Sequence, residues 1–130
     1  MIERLDEKAV QRVSGPAWEA LRAVFFDASR VLLAVSPAAT SELTTIYVKF
    51  CVSAAKKDVY AVVWLKNSKQ IIVGLALPEE VDSPLLGPPP QGTQYKGLTK
   101  YLTIRPGGAI PDALADWARF AFTSVSVKDE

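Results

Sequence analysis

The sequence predicts an α+β fold in two layers: a four-stranded, mainly antiparallel sheet with two helices on one face, ordered α-β-β-β-β-α. Two observations carry this. From Ile46 to Leu77, apolar residues recur with period 2 in three runs separated by polar turns. On either side lie stretches whose apolar residues recur at helical spacing instead.

Residues 1–13 are charged, with Leu5, Val10 and Val13 loosely spaced, and read equally as a short helix or an arm. Ser14-Gly15-Pro16 starts a helix, with proline where its missing N–H does no harm. Trp18, Leu21, Phe25 and Leu32 then form the stripe of an amphipathic helix from Pro16 to Val31. Ser36-Pro37 ends it, and Ala38 to Glu42 reads as a connector. In the first strand Ile46, Val48, Phe50 and Val52 alternate with Tyr47, Lys49, Cys51 and Ser53. Lys56-Lys57-Asp58 turns into a second run, Val59 to Leu65. Lys66-Asn67-Ser68-Lys69 turns into a third, with Ile71, Val73, Leu75 and Leu77. Pro78 to Gly97 has no period and is dense in proline and glycine, which predicts a long loop. Leu98 to Arg105 is the fourth strand, broken by Pro106-Gly107-Gly108. Ile110-Pro111-Asp112 opens a last helix striped by Leu114, Trp117, Ala118, Ala121 and Val125, before a frayed tail, Lys128-Asp129-Glu130.

A chain of 130 residues reads as one domain, able to bury a core without disulfides or metal. Lys and Arg number 15 against 14 Asp and Glu, and a net charge of +1 gives no reason to expect strong binding to nucleic acid or an anionic membrane. The one cysteine, Cys51, excludes an intrachain disulfide. The first residues lack the apolar stretch of a signal peptide and no long apolar run follows, so a cytoplasmic, bacterial-type protein with no membrane contact is expected. Histidine is absent, which excludes Ser-His-Asp and Cys-His catalysis and His-ligated zinc. No catalytic residue, metal site or cofactor is expected.

Alternation fixes what the sheet carries on the face away from the helices. That face would hold Tyr47, Lys49, Cys51, Ser53, Ile72, Gly74, Ala76, Tyr101, Thr103 and Arg105, joined by Tyr60, Val62 and Trp64. Tyr47, Lys49, Tyr60, Trp64, Tyr101 and Arg105 are the candidate contact residues, aromatics with two cations that suit a flat anionic ligand. Three readings of the face stand side by side. The N-terminal arm or the proline-rich loop buries it, two copies stack there as a homodimer, or a small ligand or extended partner binds beneath Pro84–Tyr95. Other clusters read as ordinary structure. Glu79-Glu80-Val81-Asp82 fits no calcium loop, Cys51 reads as a packed residue, and Gly107-Gly108 lacks the spacing of a phosphate loop.

The stretch YVKFCVSAAKKDVYAVVWLKNSKQIIVGLALPEE, followed by YKGLTKYLTI and IPDALADWARFAF, resembles an uncharacterised bacterial small-domain family. Its members are sometimes labelled "predicted transport protein", and the resemblance spans about residues 16–125, including AWEALRAVF. In layout the chain is also similar to YdhG-like proteins. Members occur alone or beside nuclease-like modules, which implies an accessory or binding role. Some carry a histidine or basic pair before the last strand, where this chain has Gln94, Tyr95 and Lys96.

The leading expectation is a non-enzymatic, cytoplasmic and dimeric binding or interaction domain, with its functional surface on the outer sheet face and adjoining loop. One alternative is a nucleic-acid accessory module using Tyr95, Lys96, Lys100, Tyr101 and Arg105, because aromatics beside cations hold single strands. Another is a small enzyme working with carboxylates or Lys49 beside Tyr47. A metal chaperone ranks last, since the long helix offers little beyond Glu19 and Asp27.

Overall fold

The computed structural model describes residues 2–127, with no cis peptide bond among them. Helix α1 spans Glu7–Arg12, and after a 3-10 turn at Pro16–Trp18 helix α2 spans Glu19–Leu33. Strands β1 (Thr40–Thr44), β2 (Tyr47–Cys51), β3 (Val59–Asn67), β4 (Gln70–Leu75) and β5 (Lys100–Ile104) follow, then helix α3 (Leu114–Val127). The class is α+β as expected, but the sheet has five strands and three helices accompany it. The acidic tail lies outside the described residues.

The extra strand is β1, where the sequence reads as a connector. Thr40 to Thr44 carries one large apolar residue, Leu43, so it shows no alternation to read. It forms because Thr44 pairs with Tyr47 across a two-residue turn, and pairing then runs back to Thr40 opposite Cys51. All neighbours are antiparallel, in the order β1-β2-β3-β4-β5. This is an uninterrupted meander through β4, closed by the long excursion to β5.

One face of the sheet carries the row Val48, Val63, Val73 and Leu102, and the next row Phe50, Ala61, Leu75. All are buried beneath α2 and α3, whose apolar stripes meet there. A β-bulge lies between Phe50 and Cys51: Phe50 opposes Ala61 while Cys51 opposes Val59, so Tyr60 is the additional residue. The bulge turns Tyr60 toward the helices, correcting its expected place on the outer face. Its hydroxyl donates to the Leu32 carbonyl at 2.6 Å, near the end of α2. Its ring meets Phe122 of α3 edge-on, with centroids 5.2 Å apart. Tyr60 therefore ties both long helices to the sheet.

The N-terminal arm also lies on the helix side. Leu5 and Val10 approach Phe26 of α2, and Leu5, Ala9 and Val13 are buried. Arginines fasten it. Arg4, in the left-handed region at φ 67°, donates to the carbonyls of Leu33, Ser36 and Ala39 at 3.0, 2.7 and 2.8 Å. A cation there also favours the C-terminal end of α2. Arg12 donates twice to the Leu65 carbonyl, at 3.0 and 2.6 Å, with Trp18 against its guanidinium. Arg22 donates to the carbonyls of Val13, Ser14 and Gly15 at 2.7, 3.0 and 2.9 Å.

Arg4→Ala should lower unfolding free energy by roughly 1.5–3 kcal/mol, the range for hydrogen bonds to a charged group. Urea titration measures it. A midpoint unchanged from the parent would show that the clamp contributes nothing.

Candidate functional site

The outer face is built from two rows. Tyr47, Trp64, Ile72 and Thr103 lie side by side across β2–β5, and Lys49, Val62, Gly74 and Tyr101 lie beside them. Aromatic rings cover the centre: Trp64 contacts Tyr47 at 5.9 Å and Tyr101 at 5.8 Å between centroids. Gly74 leaves room for this layer. A Cβ there would lie 2.8 Å from Tyr101 Cε2, 2.9 Å from Leu98 Cδ1 and 3.1 Å from Trp64 Cζ3, too close for any side chain.

Of the two segments proposed to roof the face, the loop does so. Leu98 sits over Gly74, and Tyr95 stands edge-on against Tyr47 at 5.8 Å. The loop is held at named points. Gly87 and Tyr101 exchange two backbone hydrogen bonds of 2.9 Å, which also occupies the outer edge of β5. The Tyr95 N–H donates to the Tyr101 hydroxyl at 3.1 Å. Lys100 donates to the carbonyls of Glu79 and Val81 and pairs with Asp82 at 3.7 Å. The acidic segment thus anchors the loop's outgoing end. Two turns closed by Thr93→Pro90 and Leu98→Tyr95 hydrogen bonds place Gly92 and Gly97 at φ 79° and 94°, where only glycine fits without strain.

The candidate contact residues therefore separate. Trp64 and Tyr101 are 3% and 4% exposed, beneath the roof rather than open to a partner. Tyr60 is on the other side of the sheet. Arg105 is exposed but follows the end of β5, past Thr103 and away from the aromatic centre. Tyr47 and Lys49 remain half-buried at one corner, joined there by Tyr95, which the sequence offers only as the end of the roofing segment and in the run considered for single strands. In the run considered for single strands, Lys100 is committed to the loop and Tyr101 is covered, leaving Lys96 and Arg105 exposed.

Electrostatics at the corner follow from contact and burial. Lys49 holds its proton more strongly than usual, chiefly through its 3.2 Å pair with Glu42, against the opposing cost of burial. Burial pushes up the Cys51 thiol, with Lys49 pulling the other way, so it is a poor nucleophile at neutral pH. Burial likewise raises the hydroxyls of Tyr95 and Tyr101, and that of Tyr60 more strongly. Among the described residues, no three His, Cys, Asp or Glu side chains are grouped to hold a metal ion, and no helix is long and apolar enough to cross a membrane. A cleft of about 490 Å³ opens where the loop returns to the sheet, between the β2–β3 turn and α3.

No family model matches the chain, and neither does any curated protein or solved structure.

Gly74→Ala should destabilise by roughly 1–3 kcal/mol through overpacking and loosen the loop. Gly87→Ala, where nothing lies within 4 Å of the added carbon, should leave stability near parental. Paired thermal melts test this, and equal Tm values would contradict the close packing described. For pH, each raised tyrosine keeps its proton longer folded than unfolded. Its contribution is complete below its ordinary value near 10 and is lost as pH rises from there. The urea midpoint should fall above about pH 10, and less steeply in Tyr60→Phe, whose baseline drops by about 1 kcal/mol with the lost hydrogen bond. An identical slope in that variant would count against the assignment.

Proposed function

We propose that this chain is a non-enzymatic binding domain whose binding module is the outer sheet face together with its roofing loop. The supporting observation is the aromatic layer of Tyr47, Trp64 and Tyr101, capped by Tyr95 from a loop fastened at discrete points. The layer ends in a half-buried corner, Tyr47, Lys49 and Tyr95. The corner's polar groups favour binding over catalysis. Lys49 is matched by Glu42, and the Tyr101 hydroxyl accepts from a main-chain N–H, so neither is paired as nucleophile and base. A flat anionic aromatic compound fits the corner's chemistry: rings to stack on and one ammonium beside them. Face-to-face stacking of two copies would require the loop to leave, so the reading is a monomeric binder in the cytoplasm.

The probe is 8-anilinonaphthalene-1-sulfonate, an aromatic anion with a flat naphthalene ring, followed by its fluorescence. Saturable binding is expected, weakened at least threefold in Lys49→Gln and in Tyr95→Ala. It should be unchanged in Phe120→Ser, which removes an exposed ring on α3, 47% accessible. Binding that ignores the corner variants, or that disappears with Phe120, would overturn the proposal. Light scattering on the same sample should give a mass near 14.1 kDa; a stable dimer would restore the stacking reading.

A further inference from the structure

We infer that the cleft where the loop returns to the sheet binds a small amphipathic carboxylate, with its acid group between Lys57 and Lys96 and its apolar body on the floor below. The inference goes beyond the corner reading: the cleft shares Tyr95 with the corner but is lined by neither Tyr47 nor Lys49.

Three separate parts of the chain make the cleft. Lys57 and Asp58 come from the β2–β3 turn, Lys96, Gly97 and Thr99 from the returning loop, and Ser124 and Val125 from the last turns of α3. Between them Val59 at the start of β3, Ala76 and Leu77 at the exit of β4, and Val125 give the mixed lining its apolar part, with Ala76 and Leu77 themselves buried. At about 490 Å³ this open cleft lies within the size range of small-molecule sites.

Charge decides the class of ligand. Many cations elsewhere are already engaged, Arg4, Arg12 and Arg22 on carbonyls, Lys100 on the loop, Lys49 on Glu42 and Arg30 on Asp27, and others such as Arg105 stand exposed away from this cleft. Lys57 and Lys96 are exposed, stand on separate walls, and make no ion pair among the described residues. Asp58 is the carboxylate of the lining and has its own interaction, leaving the rim net positive. A positive rim above an apolar floor is complementary to an anion carrying a hydrocarbon body, and not to a bare ion or a neutral oil. Gly97 is held at φ 94° in the turn between Lys96 and Leu98, so the loop's lysine is presented by a fixed backbone and not by a swinging one. Leu98 beneath it is buried against the sheet, which pins that turn in place.

The test is a titration of the isotopically labelled protein with decanoate, decanamide and inorganic phosphate, read from backbone amide shifts. Decanoate should move the amides of 57–59, 95–99 and 124–125 in a saturable manner. Decanamide should bind at least fivefold more weakly, and phosphate should leave these amides in place. Lys57→Gln and Lys96→Gln should each weaken decanoate about two- to fivefold, the scale of exposed ion pairs, while Lys49→Gln should not. Both lysines are exposed, so the variants should keep the parental spectrum, which the same experiment verifies. Equal affinity for decanamide, equal affinity for phosphate, shifts confined to the Tyr47–Lys49 corner, or no saturable shift would each overturn the inference. The first would remove the role of charge and the second that of the floor. The third would leave the corner reading standing alone.

Discussion

Everything in this fold answers to β3, a strand whose residues from Tyr60 to Leu65 are all buried. A strand in an antiparallel sheet normally keeps one side wet, and such a strand reads as alternating apolar and polar. Here Ala61, Val63 and Leu65 need one cover, and Val62 and Trp64 need another. Helices α2 and α3 supply the first. No helix is left for the second, because α1 is spent beside α2, so the connection between β4 and β5 must supply it. The length of that connection is therefore a consequence of the central strand, not an ornament on it.

A loop is a poor substitute for a helix as a cover, since its own backbone groups need partners. The chain meets this with point contacts instead of a regular ladder. Glycines in closed turns reverse direction tightly, the Gly87–Tyr101 pair lends the loop one rung of sheet, and Lys100 gathers carbonyls that would otherwise face water or nothing. Gly74 matters in the same sense from below: by omitting a side chain it lets Leu98 and Tyr101 settle onto Trp64. The opposite edge is closed by equally local chemistry. The Leu43 N–H donates to Asp6, the Asp6 N–H to the Ser41 hydroxyl, and that hydroxyl to the Arg4 carbonyl, at 2.7, 2.8 and 2.7 Å. With both edges occupied, further strand addition has little to grip.

What could be read from the sequence was whatever side-chain hydrophobicity encodes. The runs from Val48 to Leu75, the helical stripes and the aperiodic proline-rich segment all express burial, and burial leaves a pattern. Strand β1 left none, because its partners are main-chain groups and one carboxylate. Tyr60 was placed on the wrong side since alternation assumes one residue per rung, and a bulge adds a residue without changing the composition. The arginine clamps were equally silent: an arginine that binds carbonyls looks in sequence like one that binds solvent or phosphate. Of the candidate contacts, Tyr47 and Lys49 ended where a ligand could reach them. Trp64 and Tyr101 are covered for the reason that made them conspicuous, their large apolar surface. Tyr95 gave no signal because its place depends on how the loop folds back.

The clamps also change the meaning of a net charge of +1. Summed over the chain, it argues against an anionic partner, since long-range attraction needs excess charge. The sum counts every cation as free to move, however, and those that hold carbonyls are fixed in place, Arg4 at the surface and Arg12 and Arg22 half-buried. They keep their charge but cannot swing toward a partner without giving up those hydrogen bonds. The charge that a partner meets is then set by position: acids at Glu79–Asp82 partly gathered around Lys100, and lysines left on the two walls of the cleft. Screening shortens the reach of such a local excess to about 8–10 Å at ordinary ionic strength, the size of a small ligand and less than that of a nucleic acid groove. A nearly neutral chain can therefore favour small anions over large ones by where its charges stand, whatever its total.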